Sequence, residues 1–289
     1  MGSTEDAQAG CRPKRQAGED DYPAIWVAYG KLFRKKRSKT QQELADATGY
    51  SYEQVASIEQ GRRPAKVAFT EAAERVLEAG GVLAELQDDV ERAKLPKFFQ
   101  DFALIETEAV SRFAYDPLLV PGLLQTGEFA RALLLAHCPL PTAHCPVLDE
   151  ETVEHRVEGR LNRQKLLLQT PPVEFSFIVG ESALVNTVRD AELMSSQLQH
   201  LLRVGSSANV ELQVMPIESG VHTGLNGAFV LLETLEHRHF GYLEAQQVGM
   251  VISDPAKVSA FGLRYGELRS QALNVEESAR LIERLAGAA

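Results

Sequence analysis

Two sets of side chains between Ala24 and Lys66 have types and spacing suited to chemistry. The first is a set of cations: Lys31, Arg34, Lys35, Lys36, Arg37 and Lys39, then Arg62, Arg63 and Lys66. Set against Glu43, Asp46, Glu53 and Glu59, they leave this window at +5 in a chain of net charge −10. Such asymmetry suits one module that meets phosphate, carried on a body that repels it. The second set is Tyr52, Glu53 and Ser57, on the outward side of a short helical pattern. Cations on phosphate give affinity and salt dependence, whereas polar groups facing a groove give sequence choice.

Other candidates for chemistry carry less. His137-Cys138 and His144-Cys145 put four ligand types in one Pro-rich loop, but Cys138 and Cys145 lack zinc-knuckle spacing. With Cys11 they are also too few for a disulfide framework. Glu181-Ser182 is not a Gly-x-Ser-x-Gly elbow. The loop from Glu218 to Gly227 offers His222 and three glycines, but it lacks the Lys-Ser/Thr of a phosphate loop. A turn between strands accounts for its glycines. No catalytic residue, metal or cofactor is expected, and the chain reads as a non-enzyme. A small-molecule pocket at a sheet–helix junction is a further option. Arg156, Arg160 and Arg163 share one helix face and could clamp a carboxylate-rich partner. Pairing inside the domain, with Glu150, Glu154 or Glu158, is the alternative.

The elements that must position the first two sets are legible from their caps. Ile25, Trp26, Tyr29, Leu32 and Phe33 recur at three- and four-residue steps, as in an amphipathic helix. Thr40 and Glu43 form a capping box that starts a helix over Gln41–Thr48, with Leu44, Ala45 and Thr48 on one face. Gly49 suits the left-handed position after a helix end. Ser51 and Gln54 form a second box; Val55 and Ile58 then face inward, and Gly61 ends the helix. Two short helices joined by a glycine turn, the second polar outside, make a helix-turn-helix of a size to enter a DNA groove. Helices near Ala65–Ala79 and Val82–Ala93 complete an all-α unit of four or five helices over residues 24–92.

Residues 96–289 read differently. Phe98, Phe99, Phe102 and Leu104 begin a helix ending near Ala109, Thr126 caps another over Gly127–Ala136, and a long helix spans about Leu148–Leu168 with Val153, Val157, Leu161 and Leu168 inward. VEFSFIVG, NVELQVMPI, GAFVLLETL and FGYLEA read as strands, with a helix over Ala191–Val204 and two closing helices near Pro255–Ala272 and Val275–Leu285. The expected fold class is α+β, with a C-terminal mixed sheet of about four strands flanked by helices. Residues 1–23 are polar and charge-mixed and read as a disordered tail. No apolar run approaches a membrane span and no secretory signal is evident, so a cytoplasmic location is expected.

TQQELADATGYSYEQVASIEQGRRP resembles the helix-turn-helix of Cro- and lambda-repressor-like (XRE-type) regulators over roughly residues 26–85. The resemblance implies that Gln41, Arg62 and Arg63 hold phosphates and that Tyr52, Glu53 and Ser57 face base edges of an operator. It also implies that Arg34 pairs with Glu59, making Glu59 structural. VPGLLQT, RVEGRLNRQKLL, the QLQHLL helix and NVELQVMPIESGVHTGLNGAFVLLE resemble the C-terminal domain of actinobacterial WhiJ-like regulators, from about Phe102 onward. That resemblance implies a regulator that works with a small acidic partner protein encoded nearby, its C-terminal domain serving association and partner or effector binding. A homodimer is expected because one helix-turn-helix covers only one half-site. An antitoxin-like protein that sequesters such a partner, and binds DNA for autoregulation, is the competing reading. The chain departs at Val179-Gly-Glu-Ser-Ala, where only Glu181 matches the family's usual Asp-Glu pair.

Overall fold

In the computed structural model the described residues are 24–61, 63–93, 95–137, 150–185, 190–245 and 248–288. The expected tail at 1–23, Arg62, and the loop with Cys138, His144 and Cys145 lie outside them. The chain divides into two compact units, Met1–Ala93 and Lys94–Ala289.

The first unit is helical: α1 (Ala24–Lys36), α2 (Gln41–Thr48), α3 (Tyr52–Glu59), α4 (Val67–Leu77), α5 (Val82–Glu85) and α6 (Gln87–Ala93). Its core is Leu44 and Ala45 from α2, Val55 and Ile58 from α3, Phe69, Ala73 and Leu77 from α4, and Leu83 and Val90 beyond. Phe33 and Tyr50 pack on its margin, with Tyr50 edge-on to Phe69 at 4.9 Å. Leu32 is 57% exposed, so α1 buries less than its pattern suggests. The expected Val82–Ala93 helix divides at Leu86, giving six helical segments among the described residues rather than four or five.

The second unit carries α7 (Lys97–Thr107), β1 (Ala109–Asp116), α8 (Gly127–His137), α9 (Glu150–Arg163), β2 (Glu174–Gly180), α10 (Glu181–Val185), α11 (Ala191–Gly205), β3 (Val210–Met215), β4 (Phe229–Thr234), β5 (His239–Ala245), β6 (Val248–Ile252), α12 (Pro255–Gln271) and α13 (Val275–Ala288). The sheet has six strands, not about four, in the order β3-β2-β1-β4-β5-β6. β1, β2 and β3 run parallel, and β4, β5 and β6 extend the sheet antiparallel from β1.

The strands missed from sequence are β1, at the centre, and β6, at one edge. β1 places Ala114 in one core and Tyr115 in the other, so both its faces are covered and polar alternation fails. Its sequence also holds Arg112, which is only 4% exposed. One sheet face packs Phe175, Phe177, Val179, Leu212, Val214 and Leu232 with Phe99 and Phe102 of α7, Leu198 and Leu201 of α11, and Ile282 of α13. The other packs Tyr115, Ile178, Met215 and Phe229 with Val258, Tyr265 and Leu268 of α12. In α9, Val153 and Val157 are buried as expected from spacing, but Leu161 is exposed. Leu168, in the 3-10 turn that follows, is 85% exposed, because the α-helical period ends at Arg163.

Candidate nucleic-acid interface

Both starts of the α2–α3 hairpin are fixed by reciprocal caps. Thr40 accepts from the Glu43 amide at 3.1 Å, and Glu43 accepts from the Thr40 amide at 2.6 Å. The Thr40 amide, and the Thr40 hydroxyl that also donates to this carboxylate at 2.9 Å, lower the Glu43 pKa. Ser51 and Gln54 repeat the arrangement at 3.2 and 2.9 Å. Between them the chain turns at Gly49, whose φ of 77° is left-handed and whose amide donates to the Ala45 carbonyl at 2.9 Å. Ala45 is fully buried, as a small side chain must be where two helices approach closely.

A single carboxylate ties three helices together. Glu59 on α3 is 1% exposed. Its Oε1 accepts from Arg34 Nε of α1 at 2.5 Å, and its Oε2 accepts from Arg34 Nη2 and from Gln41 Nε2 of α2, each at 2.8 Å. Arg34 Nη1 also donates to the Lys39 carbonyl at 2.8 Å. The hydrogen bond to Glu59 raises the Arg34 pKa further, so its guanidinium stays charged. Gln41 is therefore half-buried and bonded inward in this state.

The outward side of α3 is open. Tyr52 is 46% exposed, Glu53 is exposed and Ser57 is half-buried. Eight residues make a helix about 12 Å long, commensurate with a major groove about 12 Å wide. Beyond α3, Arg63 is exposed and its amide donates to the Ser57 carbonyl at 3.3 Å; Arg62 lies outside the described residues. Lys31, Lys35 and Lys36 are exposed on α1.

Sequence reasoning missed Arg37. Its Nε donates to the Leu77 carbonyl at 3.0 Å and its Nη2 to the Glu78 carbonyl at 3.2 Å, satisfying the end of α4. Glu78, in the left-handed conformation at φ 45°, marks that helix end in place of a glycine, two residues before Gly80-Gly81. The basic tract is thus divided between structure, through Arg34 and Arg37, and exposed lysines.

Two arginines of the candidate clamp of Arg156, Arg160 and Arg163 have partners inside their own domain. Arg163 turns inward and grips Glu106 of α7 at 2.5 and 3.0 Å, with its guanidinium 4.5 Å from the centre of the Phe99 ring. Arg160 donates to Gln125 Oε1 at 2.7 Å. Glu106 is itself buried beside Arg112, which it binds at 2.8 Å, and a buried carboxylate needs such cations. Arg160 and Arg163 therefore pack into their own domain, on Gln125 and Glu106; of the glutamates named as alternatives, Glu154 pairs with Arg131 of α8. VPGLLQT joins this network: Gln125 donates to the Val120 carbonyl at 2.7 Å and its own carbonyl accepts from Gln164 at 2.6 Å.

The other loops are also structurally engaged. Glu181 accepts from the Ile217 amide at 2.9 Å. His222 Nδ1 accepts from the Gly224 amide at 3.2 Å, and a Cβ on Gly224 would meet the Tyr115 ring at 2.5 Å. That close approach explains one glycine of the loop; Gly220 and Gly227 have positive φ. Among the described residues no group of three or more His, Cys, Asp or Glu side chains could hold a metal. No described helix is long and apolar enough to cross a membrane.

Residues 99–284 match the family described as domain of unknown function DUF5753. The match spans well over half of the chain, and the chain belongs to that family. Residues 31–87 match a helix-turn-helix domain family, which places an XRE-like helix-turn-helix of the DNA-binding regulator class at the N-terminus. No curated protein and no solved structure matches the chain.

Proposed function

We propose that this chain is a sequence-specific transcriptional regulator that binds a double-stranded DNA operator as a homodimer. The observation that carries the reading is the doubly capped α2–α3 hairpin, whose outer α3 face presents Tyr52, Glu53 and Ser57 within a window of charge +5. In this reading those three side chains meet base edges, while Gln41, Arg62 and Arg63 hold phosphates. Gln41 exchanges part of its bonding to Glu59 for a phosphate oxygen. A single helix-turn-helix covers one half-site, so two copies are required for a palindromic operator. The C-terminal unit, WhiJ-like in its motifs, associates the copies and binds an effector or a small acidic partner. Neither unit is assigned a catalytic role, and the place of action is the cytoplasm.

The test is a gel shift against the DNA upstream of the protein's own reading frame, with a salt titration. Arg62→Ala and Arg63→Ala weaken binding to every sequence alike and reduce the salt slope by about one each. Tyr52→Ala and Ser57→Ala change base preference instead. Glu53 accepts from cytosine N4, so Glu53→Ala relaxes a C·G requirement at one position. Binding that is unchanged in all of these variants rejects the assignment. Light scattering of the free chain reports the dimer, and co-purification with the neighbouring small protein reports the partner.

A further inference from the structure

On the α7-facing side of the sheet, a row of residues ends in two carboxylates. Tyr115 pairs with Phe229 and Val230 pairs with Tyr242, so the next row is Asp116 of β1, Ala228 before β4 and Glu244 of β5. At ~4.8 Å between strands, the backbones bearing Asp116 and Glu244 stand ~10 Å apart. Between them is only the methyl group of Ala228. The row behind it is Ala114, Val230 and Tyr242, so a second small residue neighbours Asp116. Tyr242, stacked on Phe102 at 4.1 Å, donates its hydroxyl to Glu244 at 3.2 Å. Arg160 on α9 is close enough to Glu244 to feel its charge.

Three groups here have charge or hydrogen-bonding capacity left unmatched. Asp116 is half-exposed, and no described residue donates to it. Burial pushes its carboxyl up to about 6; Arg112 and Arg163 oppose that shift and Glu244 adds to it. Arg112, on the same strand face, is 4% exposed, and its Nη1 is buried with no hydrogen-bond partner. Arg160 spends its hydrogen bond on the neutral oxygen of Gln125. An orphaned buried donor costs about 1–3 kcal/mol, so such groups call for an explanation.

The charges nearly balance. Arg112 and Arg163 share the single charge of Glu106, which leaves one positive charge over. Arg160 adds a second, and Asp116 and Glu244 cancel both when ionised. A simple cation would meet three guanidiniums and a simple anion two carboxylates, whereas a molecule carrying both signs satisfies each side.

We propose that this cluster binds a small zwitterion, its ammonium at Asp116 and Glu244 and its acid group at Arg160 and Arg112, as the effector of the regulator. The effector role rests on the C-terminal unit being a sensor, but the binding itself is measured without DNA, so the two can fail separately. The test is calorimetry and thermal shift on the full chain with the twenty L-amino acids and with phosphoethanolamine, which distinguish a carboxylate from a phosphate as the acid group. Ethanolamine, acetate and inorganic phosphate are the single-charge controls.

At least one zwitterion binds and raises the melting temperature, while the controls do not. Asp116→Asn and Arg160→Gln each weaken it by roughly tenfold or more, the loss of one charge-assisted hydrogen bond. Wild-type affinity falls as pH drops through about 6, where Asp116 takes up a proton, and the Asp116→Asn variant loses that pH dependence. Single-charge probes that bind as tightly as zwitterions would overturn the proposal. So would unchanged affinity in both variants, or no binding by any of the zwitterions.

Discussion

At Glu59 one buried carboxylate receives three donors from two neighbouring helices, and its removal isolates a guanidinium that is only 12% exposed. Breaking a buried pair by deleting one partner is far more costly than never having it. Glu59→Ala should therefore lose about 3 kcal/mol in urea unfolding of the N-terminal unit. Glu53→Ala, at an exposed position, should move stability by less than about 0.5 kcal/mol. Asp116 presents the opposite case. Its carboxyl in the fold, near 6, lies above the ordinary value of about 3.9, so ionisation disfavours the fold and stability is lost as pH rises from about 4 through 6. Asp116→Asn should be more stable than the parent by about 1–2 kcal/mol at pH 7.5, with allowance for its partial exposure. The difference should vanish near pH 4, as melting curves across that range would show.

Among the elements, α3 is defined by its ends more than by its length. Eight residues are too few to hold a helix alone, so the two caps and the packing of Val55 and Ile58 supply its register. Thr40→Ala and Ser51→Ala should each cost about 1 kcal/mol, measured by denaturant midpoint. The Ser51 change should also weaken operator binding, because it frays the turn that aims Tyr52 and Glu53. Gly49 has open space around its Cβ position, so Gly49→Ala is penalised by φ 77° alone. In the second unit, β1 hides from a reading based on alternation because Arg112 occupies a core position. Its charge is tolerated because Glu106, at the end of the helix just before it, accepts from it at 2.8 Å; the same carboxylate also holds Arg163, which comes from α9 far along the chain. Glu106→Gln should thus destabilise the C-terminal unit by about 3 kcal/mol or more, leaving two cations buried with a neutral partner.

For the whole molecule, charge distribution governs behaviour. The window from Ala24 to Lys66 carries +5, and the remainder of the chain −15. Operator affinity should therefore fall at least roughly tenfold between 50 and 200 mM salt. A gel shift at both salts measures it. The same acidity disfavours non-specific coating of DNA, which leaves specificity to α3 and to the pairing of copies.

The sequence by itself determined the hairpin: Thr40, Glu43, Gly49, Ser51 and Gln54 signal through local geometry, in which each cap lies within three residues of its partner. It also determined that strands and helices alternate after Pro96, because β2 and β4 are continuous apolar runs. Tertiary structure decided what depends on long-range partners. Helical spacing put Arg156, Arg160 and Arg163 on one face, but spacing carries no information on whether that face meets solvent or Glu106. Register placed Asp116 opposite Glu244, which lies well over a hundred residues further along the chain, with Ala228 between them. No local pattern encodes that pairing, since it arises from strand order and from the balance of buried charges.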